Sequence, residues 1–204
     1  MLTYSESLFE ELVYKNGMSL KKLDSESEET SPDYLVSSGN DPFEIFEVKE
    51  MSWSKEELQR NAGPNNNEFV RVYPRERVQR LIKGSRRQLK AAQEKYPAVP
   101  RISTLFSMIG SGRLSKDILD SALFGLIGQD DEGLPSHAHK ALLTRDSNTS
   151  ISAVAVLSKR DESYNIDFYK NPFAATEYNA PSNSFGKVFV KSFNSSDRLD
   201  PGWQ

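Results

Sequence analysis

Three observations predict an α/β fold for this 204-residue sequence, with a mixed central β-sheet flanked by helices. Helical and strand periodicities alternate along the chain as helix, two strands, helix, strand, helix, strands. The length suits one domain spanning residues 1–204 and leaves little room for two. The chain has no cysteine, which excludes a disulfide framework, a thiolate zinc site and a cysteine nucleophile, and predicts a reducing, cytoplasmic setting. No stretch approaches the roughly 18 apolar residues of a membrane span, and the first residues lack a basic region followed by an apolar run, so no membrane partner is expected.

The first helix is expected from Ser5, as cap, to Tyr14, with Leu8, Phe9, Leu12 and Val13 as its apolar stripe and Asn16-Gly17 as its end. Residues 24–31 are acidic and polar and read as a loop. Pro32 to Val36 is a short strand, residues 37–42 are rich in turn formers, and Phe43 to Lys49 is the second strand of a hairpin. Apolar residues on both of its faces predict a buried central strand. After an asparagine-rich loop from Asn61 to Glu68, Val78, Leu81, Ile82, Leu89 and Ala92 mark a helix from Pro74 to Tyr96, stopped by Pro97 and Pro100. Arg101 to Gly110 reads as a strand, Ile118 to Ile127 as a helix and Asp130 to Pro135 as a loop. A late hairpin pairs Ile151–Leu157 with Tyr164–Tyr169, turning through residues 159–163. Residues 186–191 add an edge strand, and Asn171 to Ala174 form a turn.

The net charge of -3 conceals segregation. Residues 1–57 hold 5 bases and 14 acids, whereas residues 71–116 hold 12 bases and 2 acids. An acidic segment followed by a basic one suits an acid-rich, metal-binding site beside a surface for a polyanion; the plainer reading is two solvated faces that attract each other. Arg80, Lys83, Arg86, Arg87 and Lys90 spread around the apolar stripe of the basic helix, and Gln88 falls on its border.

Period-two alternation places Phe43, Ile45, Glu47 and Lys49 on one face of their strand, where charges need a reason. Asp33 opens the preceding strand, so its carboxylate can meet that of Glu47. Two adjacent carboxylates repel unless a cation lies between them, and Mg²⁺ prefers such oxygen ligands. Glu10 on the first helix can supply a third acid, with Glu6 and Glu11 as alternatives. Lys49 beside them can orient a metal-bound water or simply neutralise Glu47 as a structural pair. His137 and His139 follow Asp130, Asp131 and Glu132, but two histidines at that spacing in a loop are usually incidental. Gly110-Ser111-Gly112 lacks the lysine of a phosphate-binding loop and reads as a turn.

Pro32-Asp33 followed by Glu47-Val48-Lys49 resembles the PD-(D/E)xK nuclease superfamily. Leu8-Phe9-Glu10 is similar to the acid-bearing first helix of Holliday-junction resolvases and Mrr-like endonuclease domains, and Arg87-Gln88-Leu89 to their glutamine-bearing helix. The resemblance covers about residues 5–109, a restriction-endonuclease-like core, and leaves residues 110–204 as a C-terminal β-hairpin extension. It implies Asp33 and Glu47 as metal ligands, Lys49 as catalytic lysine, Glu10 as accessory acid and Gln88 as a site-shaping group. The activity implied is Mg²⁺-dependent hydrolysis of DNA phosphodiesters, with Mn²⁺ as substitute. Paired cutting of both strands favours a homodimer. A binding module without catalysis, on the same fold, is the alternative.

Overall fold

The computed structural model describes residues 3–23, 31–39, 41–51, 74–107, 114, 116–129, 135–137, 141–160, 163–179 and 187–189. Helix α1 (Tyr4–Lys15) opens at Thr3, not Ser5. The Thr3 hydroxyl accepts from the Glu6 amide at 3.3 Å while the Glu6 carboxylate accepts from the Thr3 amide at 2.5 Å. Ser5 is buried, with its hydroxyl 2.9 Å from that of Thr3. The predicted stripe of Leu8, Phe9, Leu12 and Val13 is buried, and Phe9 lies 4.7 Å from Phe46 and 5.4 Å from Tyr34 between ring centroids.

Strands β1 (Ser19–Lys22), β2 (Tyr34–Ser38) and β3 (Asp41–Met51) form an antiparallel meander. β1 lies where no strand is expected: four half-exposed residues with two lysines give too little alternation to read. Helix α2 (Arg75–Lys95) then carries the chain over to β4 (Arg101–Ser107), which pairs parallel with β3. Helix α3 (Lys116–Phe124) stops short of the expected Ile127, because Gly125 takes a φ of 74° and turns the chain into β5 (Leu126–Gln129), paired with β6 (Pro135–His137). β7 (Ala153–Arg160) and β8 (Ser163–Lys170) form the expected late hairpin, longer than read, and β9 (Lys187–Phe189) pairs parallel with β8.

The resulting sheet has seven strands among the described residues, in the order β1-β2-β3-β4-β7-β8-β9. β7 sits parallel beside β4, so the late hairpin continues the central sheet. α1 covers one face, in a core with Tyr34, Val36, Phe46, Val48 and Phe168. α2 and α3 cover the other, with Leu35, Ile45, Met51, Leu105 and Val154. This assigns every other residue of β3 to a helix. Ile45 and Met51 belong to the α2 side, but Phe43 packs against the α1-side core instead of sharing their face. The cause is local: the β2–β3 register shifts between Val36 and Ser37, which breaks the period-two rule at the start of β3. Among the described residues no helix is long and apolar enough to cross a membrane.

Candidate active site

The antiparallel register pairs Tyr34 with Phe46, and one step further sets Asp33 opposite Glu47. Side chains of opposed residues share a face. The polar groups there interlock: the Asp33 carboxylate accepts from the Val48 amide at 2.7 Å, and the Glu47 Oε2 accepts from the Asp33 amide at 3.2 Å. The Lys49 ammonium forms an ion pair with Glu47 Oε1. Asp33, Glu47 and Lys49 thus meet at the end of the β2–β3 pair, as the alternation predicts. Glu47 is fully buried, whereas 29% of the Lys49 side chain reaches solvent, so the lysine is the open side of the group.

Burial, followed by the Asp33 carboxylate, pushes the Glu47 carboxyl up to about 7, against the pull of Lys49 and the Asp33 amide. Glu47 Oε1 is held by the Lys49 ammonium. Two neighbouring carboxylates, one of them fully buried and pushed up to about 7, are the oxygen ligands a hard divalent cation takes while completing its shell with water, and the Lys49 ammonium now holds the position beside Glu47 Oε1. Asp33 and Glu47 are the residues that would hold it.

Glu10 stands apart from this group. Its Oε1 accepts from the Tyr34 hydroxyl at 2.9 Å and pairs with the Lys22 ammonium at 3.0 Å, on the α1 side of the sheet. Tyr34 connects the two regions: burial, then Glu10, and more weakly Glu6 and Asp33 raise its hydroxyl well above the usual tyrosine range. Among the described residues, however, no three acidic or histidine side chains gather as an ion-holding cluster. Neither Tyr34 nor Lys22 was legible as a partner of Glu10, because β1 itself was not.

On the other face, the buried line of α2 is Val78, Ile82, Ser85, Leu89 and Ala92. Ser85 is the polar member. Its hydroxyl lies 2.6 Å from that of Ser103, and Ser103 is the β4 partner of Glu47, so Ser85 marks the level of Glu47 along the helix. A serine on an otherwise apolar helical line was the available signal. Gln79 donates to the Ala122 carbonyl at 2.9 Å, which turns one flank of α2 toward α3. Gln88 lies on the opposite flank, half-buried, but about 4.5 Å beyond Ser85 along the axis and away from Lys49. No hydrogen bond joins it to Asp33, Glu47 or Lys49.

Arg80, Lys83, Arg86, Arg87 and Lys90 are all exposed, and none forms an ion pair among the described residues. Five exposed cations on one helix, without an ion pair among the described residues, give α2 a positive outer surface. His137 lies on β6, while His139, Asp130 to Glu132, the Gly110–Gly112 turn and the asparagine-rich loop fall outside the described residues. Compared with models of known families, with curated proteins and with solved structures, the chain matches none.

Proposed function

We propose that this chain is a Mg²⁺-dependent endonuclease with a restriction-endonuclease-like core, hydrolysing DNA phosphodiesters in the cytoplasm, with Mn²⁺ able to substitute. The observation that carries the reading is the meeting of Asp33, Glu47 and Lys49 at one strand end on the α2 side. The acid-bearing helix, the hairpin and the basic helix also follow in the order that the motif requires.

Asp33 and Glu47 would hold the cation, which when bound supplies an acidified water and positive charge for the phosphate. The chain does the rest. The Asp33 amide and the Val48 amide lock both carboxylates, so neither must reorganise. Lys49, the exposed member, meets the incoming phosphate and stabilises charge that develops there. The exposed cations of α2 hold the polyanion in place, and two copies of the chain acting together would cut both strands.

The closed Glu47–Lys49 pair, with Glu10 engaged by Tyr34 and Lys22, favours a second reading, in which the same surface binds nucleic acid or an acidic protein without cleavage. A plasmid-nicking assay with Mg²⁺, Mn²⁺ and EDTA separates the two. Cleavage should need the metal, and the Mg²⁺ concentration that half-saturates it should fall as pH rises toward about 7, because the cation displaces the proton that the metal-free Glu47 holds up to that value. Lys49→Ala should lower the rate by roughly 100-fold or more while changing affinity little, since it removes charge needed mainly in the transition state. Asp33→Ala should remove both Mg²⁺ binding and cleavage. A wild-type protein that binds DNA and never nicks it would hand the lead to the binding reading.

A further inference from the structure

Two of the three groups at the end of the β2–β3 pair are tied to the main chain. The Asp33 carboxylate takes the Val48 amide at 2.7 Å and Glu47 Oε2 takes the Asp33 amide at 3.2 Å, so each is held by the backbone of the neighbouring strand and moves only with the sheet. Lys49 is tied differently. Among the described residues its ammonium has one ion pair, with Glu47 Oε1, and 29% of its side chain is exposed. It stands two residues beyond Glu47 on the same face of β3, about 7 Å along the strand, and a flexible stem of methylenes carries its charge. The ammonium can therefore leave Glu47 for solvent while the backbone stays where it is.

Glu47 cannot follow it. Its side chain is wholly buried, with Oε2 occupied by the Asp33 amide and Oε1 by the ammonium. An ionised carboxylate at that depth needs a positive partner. Asp33 lies close enough to act on the Glu47 carboxyl through its own charge, so the site sets two negative charges against the single positive charge of the lysine. A divalent cation balances both carboxylates. Two cations in contact with one buried oxygen repel each other strongly, which makes the ammonium and the metal alternative partners of Glu47 Oε1.

Resting on the metal-site part of the nuclease reading, we propose that Lys49 is the counter-ion of the metal-free site: it neutralises Glu47 until a divalent cation enters, then gives up Oε1 and turns its ammonium outward. The exchange makes the lysine a gated group. Paired with Glu47 it has no charge to offer a phosphate. Released, it stands at the exposed rim of the site with its full charge, while the metal keeps the carboxylates neutralised.

Mg²⁺ binding to the full chain is followed by calorimetry, and the release of Lys49 by competitive acetic anhydride labelling read by mass spectrometry, in EDTA and in Mg²⁺. No DNA is present, so neither readout depends on cleavage. Mg²⁺ should raise the labelling of Lys49 several-fold relative to that of Lys15, whose partner Glu11 lies on α1. Lys49→Ala should bind Mg²⁺ about tenfold or more tightly than wild type, each protein being read on its alkaline plateau so that no proton competes for Glu47. Lys49→Gln takes its place should the alanine variant fail to fold by circular dichroism. Mg²⁺ that binds without changing the labelling of Lys49 overturns the exchange even if the variant binds it more tightly, because lost repulsion alone would give that gain. A folded variant that binds Mg²⁺ no more tightly than wild type overturns it as well. A wild type that binds no Mg²⁺ beside a variant that does supports the lysine as counter-ion and removes the nuclease reading, whereas no binding by either overturns both. Exchange in a protein that never nicks DNA leaves the counter-ion standing and the nuclease reading refuted.

Discussion

Glu44 and Glu47 are three residues apart on β3 and both are buried, yet among the described residues only Glu47 has a charged partner. Glu47 meets Lys49 and the Asp33 amide. Glu44, on the α1 side of the sheet, faces Tyr178, whose hydroxyl offsets only a little of the burial that pushes the carboxyl up to about 8. Tyr178 is itself buried and stacks on Phe168 with ring centroids 5.1 Å apart. A carboxyl that keeps its proton in the folded chain to about pH 8 and releases it in the unfolded chain near 4.5 makes the folded state the greater proton binder between those values. Stability therefore falls as pH rises through that window, by up to about 1.4 kcal/mol per pH unit. Glu44→Gln should match the wild type in urea melts at pH 4 and exceed it increasingly up to about pH 8. Equal stability at the upper end of that window would mean that water or a rearranged partner already serves the Glu44 carboxylate.

Between elements, the connections at the start of β4 depend on Arg101, a fully buried side chain. Its Nε donates to the Ser150 carbonyl at 2.9 Å, one terminal nitrogen reaches the Tyr96 and Val99 carbonyls at 3.4 and 3.2 Å, and the other donates to the Thr176 hydroxyl at 2.9 Å. Three separate segments are tied by one planar group that lysine cannot imitate. Arg101→Lys and Arg101→Met should each cost about 3 kcal/mol, because several buried acceptors are left without their donors together. Urea denaturation checks this, and a Lys variant as stable as wild type would show that charge alone suffices. Arg101 looks like one more base of the positive segment, since its burial depends on loops far away in sequence. The same reason divides the readable from the unreadable elsewhere. β3 and α2 were legible because five or more residues carry their periods, and the meeting of Asp33, Glu47 and Lys49 followed from alternation plus one hairpin register. Phe43 departs from its expected face because of a bulge that depends on the partner strand. Glu10 and Gln88 lie on the expected elements and turn approximately as expected, but periodicity gives rotation about an axis and not level along it, so their distance from the carboxylates was not readable.

At the scale of the molecule, the segregated charge is divided between adjoining elements of one sheet. The first 57 residues, with 14 acids to 5 bases, contribute α1 and the meander that presents Asp33 and Glu47, and the basic segment contributes the helix laid across that meander's neighbour. Arg80, Lys83, Arg87 and Lys90 are exposed and have no carboxylate partner among the described residues. Changing these four to glutamate together should leave the buried line from Val78 to Ala92 intact, so circular dichroism should report an unchanged helix content. Nucleic-acid binding should weaken, and its dependence on salt should flatten by about 0.9 for each duplex phosphate that the variant no longer neutralises, because fewer condensed counterions are released. Titration at several salt concentrations gives affinity and slope together. A folded variant with both unchanged would move the binding surface off α2, and the positive segment would then have to act on a protein partner or within the chain.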